Sequence, residues 1–368
     1  MKLLIWYWGK KGGGAKYSEE IANEFVKIDY DNTFLSFSKQ SEVFENIEKL
    51  TKNAFHINTY HTKYGFVLKT LFLPILIFRF IYFLKKYKID VVLTTMPHIW
   101  TIFFIPFFKI FGIRHIVTIH DASSHPGDMK IWNLFNSFLV KYSDKTIVLS
   151  KHVENELYRL YNVKKTKIIN SIHGLLGYQN LDATPKDFTK DDKLRLVFFG
   201  RIEEYKGLKH LLEAQIKIEK DYDNIILEIY GSGDLSKYNY LLKQIKNIKV
   251  ENRWIKDDEI YSIFADACIN IAPYIEASQS GTIPVALSCG IPTICTNAGA
   301  LSEQIIHKET GIVIDSYDIT DNLLKQIKKL ESEREILNLM SKSALIYTKE
   351  YLSWKVICEK LKKDIIYA

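Results

Sequence analysis

The chain has 368 residues, of which 47% are hydrophobic and 25% charged, with a formal net charge of +7. That length exceeds one comfortable core and suits two domains, and the composition excludes a disordered chain. The charge is too modest to argue for a nucleic-acid partner, whereas a mildly basic surface suits phosphorylated small molecules or an anionic membrane leaflet.

The chain opens on an apolar run, Leu3–Trp8, too short for a signal peptide and read as a first strand. The loop from Gly9 to Tyr17 follows and leads into a helix, so its backbone N–H groups could meet a phosphate. It misses the P-loop pattern, because Ala15 stands at the lysine position and Lys16 at the Ser/Thr position. It misses GxGxxG because Tyr17 replaces the third glycine. Three consecutive glycines, Gly12, Gly13 and Gly14, still favour close approach of a ligand over a plain turn.

After a strand at Thr33–Phe37 come two greasy stretches, 67–84 and 99–113. Lys69, Pro74 and Arg79 interrupt the first, and Pro106 and Lys109 the second, so neither reaches the roughly 20 apolar residues of a membrane span. Two readings stand level: buried helices packed on a sheet, or a helix lying on a membrane with Lys69, Arg79, Lys85, Lys86 and Lys88 meeting lipid phosphates. Strands at Val91–Thr95, His115–His120, Lys145–Ser150 and Lys167–Ile172 complete the first half. His120 ends its strand beside Asp121, either as a hydrogen-bonded structural histidine or as a polar contact or base.

The polar stretch 182–193 contains Pro185, lacks periodicity and reads as a linker between domains at 1–181 and 194–351. The second half repeats the scheme with strands at Leu194–Gly200, Ile225–Gly231, Ile248–Glu251, Ile269–Ala272, Thr293–Thr296 and Gly311–Ile314. Helices at Ile319–Leu330, Glu333–Tyr351 and Trp354–Ile366 close the chain. Such alternation predicts an α/β protein of two Rossmann-like, doubly wound parallel sheets, with a ligand cleft at the C-terminal ends of the strands. Cys268, Cys289, Cys295 and Cys358 form no CxxC pair and no zinc spacing, so free thiols in a reducing, cytoplasmic compartment are expected.

Two constellations carry chemistry. Arg201 sits at the mouth of an apolar strand and Lys206 before the next helix, where they could grip a diphosphate or simply pair with Glu203 and Glu204. The stretch from Glu276 through Gln279, Ser280 and Gly281 to Thr282 offers a carboxylate for sugar hydroxyls and N–H and hydroxyl donors at a helix start; an ordinary cap with an exposed acid fits equally. A weaker signal is the glycine turn Gly231-Ser232-Gly233.

Taken together these elements resemble retaining, family-4-type glycosyltransferases of the GT-B fold, such as those of capsule, exopolysaccharide or O-antigen biosynthesis. The resemblance rests on the Gly200-Arg201…Lys206-Gly207 element, the Gly231/Gly233 turn, the Pro273-Tyr274-Ile275-Glu276 loop running into Ser278-Gln279-Ser280-Gly281, and the tail from Cys289-Gly290 to Gly311-Ile312. It implies that Arg201 and Lys206 hold a donor diphosphate and that Glu276 binds the transferred sugar. Ser280, Gly281 and Thr282 would contact phosphate, Gly12 and Gly13 would approach phosphate or acceptor, and His120 would lie beside the anomeric centre. It implies a nucleotide-diphosphate sugar as co-substrate, no cofactor or essential metal, and a saccharide or polyprenyl-diphosphate-linked acceptor. A last helix from about 352 to 368 would cross back to the first domain. The family usually carries a second glutamate eight residues on; Pro284 stands there, while a count back from Cys289-Gly290 puts Ala277 and Val285 at the two acid positions and Glu276 one residue out of register. That departure leaves a non-catalytic GT-B-like binder as the alternative, while the failed GxGxxG patterns argue against a nicotinamide oxidoreductase.

Overall fold

In the computed structural model the chain divides into two compact units, residues 1–176 with 354–368, and residues 177–353. The structure describes residues 1–122, 131–175 and 183–367.

The first unit runs β1 (Leu3–Tyr7), α1 (Gly13–Ile28), β2 (Thr33–Phe37), α2 (Phe44–Ile47), α3 (Lys63–Leu71), α4 (Leu73–Tyr87), β3 (Val91–Met96), α5 (Thr101–Ile110), β4 (Arg114–Ile119), α6 (Ile131–Tyr142), β5 (Lys145–Val148), α7 (Lys151–Tyr161) and β6 (Ile168–Asn170). Its sheet is parallel throughout, in the order β2-β1-β3-β4-β5-β6. The second unit runs β7 (Leu194–Phe199), α8 (Leu208–Ile218), β8 (Ile225–Gly231), α9 (Asn239–Leu242), β9 (Ile248–Asn252), α10 (Asp257–Ala265), β10 (Ile269–Ala272), α11 (Thr282–Ser288), β11 (Thr293–Thr296), β12 (Gly311–Ile314), α12 (Ile319–Ser332) and α13 (Arg334–Tyr347). Its parallel sheet has the order β12-β11-β10-β7-β8-β9. The central strands are Val-, Ile- and Phe-rich and buried on both faces, as parallel strands covered by helices must be.

Each sheet has one switch point, where successive strands are laid down in opposite directions from a common edge: between β1 and β3 in the first unit, and between β7 and β10 in the second. The loops leaving those strands diverge there and open a crevice at their C-terminal ends. The last helix, α14 (Trp354–Tyr367), belongs to the first unit. Trp354, Ile357, Cys358, Leu361 and Ile365 join the core formed by β1 and α1, and Lys362 pairs with Asp29 at 2.9 Å.

The polar stretch read as a linker is tied to the second unit over its described part. Phe188 is buried in that unit's core, its N–H donates to Asn338 at 2.8 Å, and the Lys186 N–H donates to Ser341 at 3.0 Å.

The greasy stretches are partly buried and partly exposed. The helix α4 buries Leu73, Phe80, Ile81 and Leu84, and α5 buries Phe104, Ile105 and Phe108. Yet α3 buries nothing, and Leu71, Phe72, Ile75 and Phe78 are 59–72% exposed. Arg79 lies on the exposed side, which is how a mid-run arginine is accommodated. Among the described residues no single helix is long and apolar enough to cross a membrane; α3 and α4 together are, but they bend by 66°.

Candidate functional site

The second unit's switch point gathers most of the residues singled out above. At the end of β7, Gly200 adopts φ +126° and leads to Arg201, whose guanidinium is exposed and lies 3.5 Å from the Tyr205 hydroxyl. The loop after β8 crosses the same backbone, where Ile202 N–H donates to Ser232 at 2.9 Å and Gly200 N–H to Tyr230 at 2.9 Å. A Cβ on Gly231 would lie 1.8 Å from the Gly200 carbonyl oxygen, and one on Gly233 would lie 2.3 Å from that of Ile202. The glycine turn is thus explained by backbone packing against the Arg201 loop.

Lys206 is stitched to the other side of the crevice. Gly207, at φ +68°, abuts the Pro273 carbonyl, where a Cβ would come within 1.9 Å. Ile275 N–H donates to the Tyr205 carbonyl at 2.7 Å. The Lys206 ammonium stands 3.8 Å from the ring centroid of fully buried Tyr274, a cation–π contact that aims a half-buried charge toward the β10 loop. The Tyr274 hydroxyl meets Ser280 Oγ at 3.1 Å and Thr282 Oγ1 at 3.4 Å, and those two hydroxyls are 3.0 Å apart. Gln304 clamps this loop with both ends of its amide: Oε1 accepts from Ser280 N–H at 2.7 Å, and Nε2 donates to the Ser280 carbonyl at 2.8 Å. Lys206, Ser280 and Thr282 therefore form one connected cluster, with Gly281 exposed on the loop and Gln279 half-buried beside it.

The sequence left two pairings open for the cations, and the structure separates them. Glu204 pairs with Lys237 at 3.6 Å, and among the described residues neither Arg201 nor Lys206 forms an ion pair. Two cations thus stand close to a strand end without a counter-charge. Glu276 is exposed on the β10 loop, which is pinned just beyond it by Ala300 N–H donating to the Ala277 carbonyl at 3.1 Å. Pro284 and Val285, where the second glutamate would stand, are both buried in α11.

In the first unit the glycine loop lies at the other switch point. Gly12 caps α1 at φ +89°, and its N–H donates to Glu42 at 2.8 Å. A Cβ on Gly13 would meet nothing within 4 Å, whereas one on Gly14 would press on Met96 at 3.0 Å. Only Gly13 lacks an internal reason to be glycine. His120 follows β4 and is buried, with its Nε2 3.0 Å from the Thr95 carbonyl oxygen. A carbonyl only accepts, so Nε2 carries the hydrogen and Nδ1 is the basic nitrogen. Burial pushes its pKa down, against the opposing pull of the Thr95 carbonyl and Asp121, so the imidazole is neutral at neutral pH. Tyr17 holds the ring edge-on at 4.8 Å between centroids.

Sequence reasoning gave no role to Tyr274 or Gln304. Tyr274 could have been flagged by its place between a strand end and the serine loop, but nothing local to Gln304 announces a clamp 24 residues away.

The chain's two halves match two family models. The one described as Glycosyltransferase Family 4 covers residues 11–169, and the one described as Glycosyl transferases group 1 covers residues 179–345. The chain belongs to the family-4-type glycosyltransferases of the GT-B fold. An uncharacterized glycosyltransferase of Haemophilus influenzae is 23% identical over 356 residues, which is 95% of this chain and 96% of the relative. N-acetyl-alpha-D-glucosaminyl L-malate synthase of Bacillus anthracis is 24% identical over 259 residues, 67% of this chain and 66% of its own. Anabaena HepE, solved in complex with UDP, shares the fold at a TM-score of 0.77 and 15% identity, with 100% of both chains covered.

In this glycosyltransferase, no three His, Cys, Asp or Glu side chains converge among the described residues in a way that could hold a metal ion. The polar groups gathered around Tyr274 are the Lys206 ammonium and the hydroxyls of Ser280 and Thr282.

Proposed function

We propose that this glycosyltransferase moves a sugar from a nucleotide-diphosphate sugar to a hydroxyl of a saccharide acceptor, with retention and without a metal ion. The observation that carries the reading is the pair of uncompensated cations, Arg201 and Lys206, held beside the Ser280–Thr282 loop at a sheet switch point. In the transfer, the bond from the anomeric carbon to the diphosphate breaks as the bond to the acceptor oxygen forms on the same face. The acceptor proton passes to the departing phosphate oxygen. Arg201 and Lys206 neutralise the charge that builds on that leaving group, which is what a metal ion would otherwise supply. Glu276, exposed at the loop, accepts hydrogen bonds from sugar hydroxyls, and neutral His120 in the first unit keeps Nδ1 as an acceptor. HepE structures holding UDP and UDP-glucose support a nucleotide-sugar donor.

The acceptor in this reading is lipid-linked, and the enzyme works in surface polysaccharide biosynthesis on the inner face of the cell membrane. The exposed apolar faces of α3 and α4, flanked by Lys69, Arg79, Lys85 and Lys86, support that location.

Thermal shifts and released diphosphate across a panel of sugar nucleotides, with and without a chelator, test the donor and the metal. Arg201→Ala and Lys206→Ala are each expected to cut turnover about 10²-fold or more. Near wild-type turnover in both would remove the assignment, and donor binding with no turnover on any acceptor would make the chain a binding subunit.

A further inference from the structure

A cavity of about 460 Å³ opens in the first unit at the elbow between α3 and α4. Lys39, just after β2, Lys69 on α3 and Arg79 on α4 line it, together with His56, Phe72 and Trp100. No acidic side chain lines it, and among the described residues none of the three cations forms an ion pair. The surrounding sequence is one-sided: residues 49–89 hold eight Lys or Arg and no Asp or Glu. His56 Nδ1 accepts from the Phe37 N–H at 3.2 Å, so in the neutral ring Nε2 carries the hydrogen, and that donor is buried without a partner. Three like charges around one cavity repel one another unless an anion is present.

The rim of the same cavity is apolar. Phe72 and Ile75 line it, yet they are 62% and 59% exposed, and they continue into the exposed side chains of Leu71 and Phe78. A cationic pocket opening onto an unpartnered apolar face matches an amphiphile: a phosphate inside, acyl chains along the helices.

We propose that this cavity seats the phosphate headgroup of an anionic membrane phospholipid, with Lys39, Lys69 and Arg79 as its ligands and the exposed faces of α3 and α4 against the acyl chains. This deepens the membrane location proposed above by assigning it a discrete headgroup site, and it is independent of the sugar-transfer chemistry, because none of these residues belongs to the donor cluster.

The test reads binding, on the full chain. Monomeric dihexanoyl phosphatidylglycerol, kept below its micelle-forming concentration, is expected to bind saturably. Phosphatidylcholine vesicles are expected to sediment the protein only when they carry phosphatidylglycerol. The double variant Lys69→Gln, Arg79→Gln should weaken short-chain lipid binding by about 10-fold or more. The double variant Lys85→Gln, Lys86→Gln removes the same charge from the end of α4 and should leave it within about 2-fold. All four side chains are exposed, so both variants should melt as the wild type does. Equal losses in the two variants would reduce the effect to diffuse charge attraction and overturn the site. Inorganic phosphate binding as tightly as the lipid, or a short polyprenyl phosphate binding more tightly than phosphatidylglycerol, would overturn the assignment to a membrane phospholipid.

Discussion

The Tyr274 phenol sits under opposing influences. Burial pushes its pKa up, but the Lys206 charge and the hydrogen bonds from Lys206, Ser280 and Thr282 outweigh burial and hold it below its ordinary range. The ring and the hydroxyl therefore do different work: the ring positions the ammonium, and the hydroxyl ties it to the serine loop. Tyr274→Phe should keep the cation–π contact and lose the tie. We expect turnover to fall about 10-fold at a stability cost of about 1–2 kcal/mol, read by steady-state kinetics beside thermal melting. Unchanged kinetics would mean that the phenol only fills space. The grouping of Arg201, Lys206 and Ser280–Thr282 near strand ends was legible because each follows a strand end in one short stretch of sequence. The clamp by Gln304 was not, because its geometry arises from pairing distant loops. That Glu204 does not pair with either cation was likewise beyond sequence, since it depends on Glu204 turning to Lys237.

At the level of elements, the twelve strands were readable as apolar runs bounded by turn residues, while their ends depended on what the next element required. Lys145–Ser150 stops at Val148 because Ser150 turns to cap α7, accepting from the Val153 N–H at 3.1 Å. Lys167–Ile172 shortens to Ile168–Asn170 because Lys165–Lys167 coils into a 3-10 turn first. Glu333–Tyr351 read as one helix, but α13 ends at Tyr347 and the chain widens into a π turn over Thr348–Leu352. The glycine loops also belong to this scale, and two of them make a matched test. Gly231→Ala drives a methyl into the Gly200 carbonyl and should destabilise the second unit by about 3 kcal/mol or more. Gly13→Ala, at the first position of α1, meets open space and should leave melting unchanged or raise it. If Gly13 is there for a ligand, that same variant loses turnover while remaining folded; full activity would make the residue a plain helix start.

Across the whole molecule, the buried histidines are concentrated in the first unit. Burial pushes His56, His98 and His173 down to about 4 and His115 to about 3, and moves His120 the same way. His115 is held neutral between Thr94 and Ser143, each 2.9 Å away. Folded, these rings bind fewer protons than in the unfolded chain, where they titrate near 6.5. The stability they contribute is therefore present above about 6.5 and is lost as pH falls toward about 4. In the second unit His307 moves the same way, but it lies exposed. Going from pH 7 to pH 5 should lower the melting of the first unit by roughly 10 °C and that of the second far less. Calorimetry with hydrogen exchange to assign each transition would show this, and equal losses would contradict it.

The placement of α14 has a consequence for how the chain comes to be made. A ribosome that has reached Ser353 has already delivered every residue of the second unit, but the first unit still lacks Trp354, Ile357, Cys358, Leu361 and Ile365. The half translated first is thus the half completed last. Until those residues join it, the N-terminal sheet has one flank of its core open. That unfinished flank is a natural target for chaperones during synthesis.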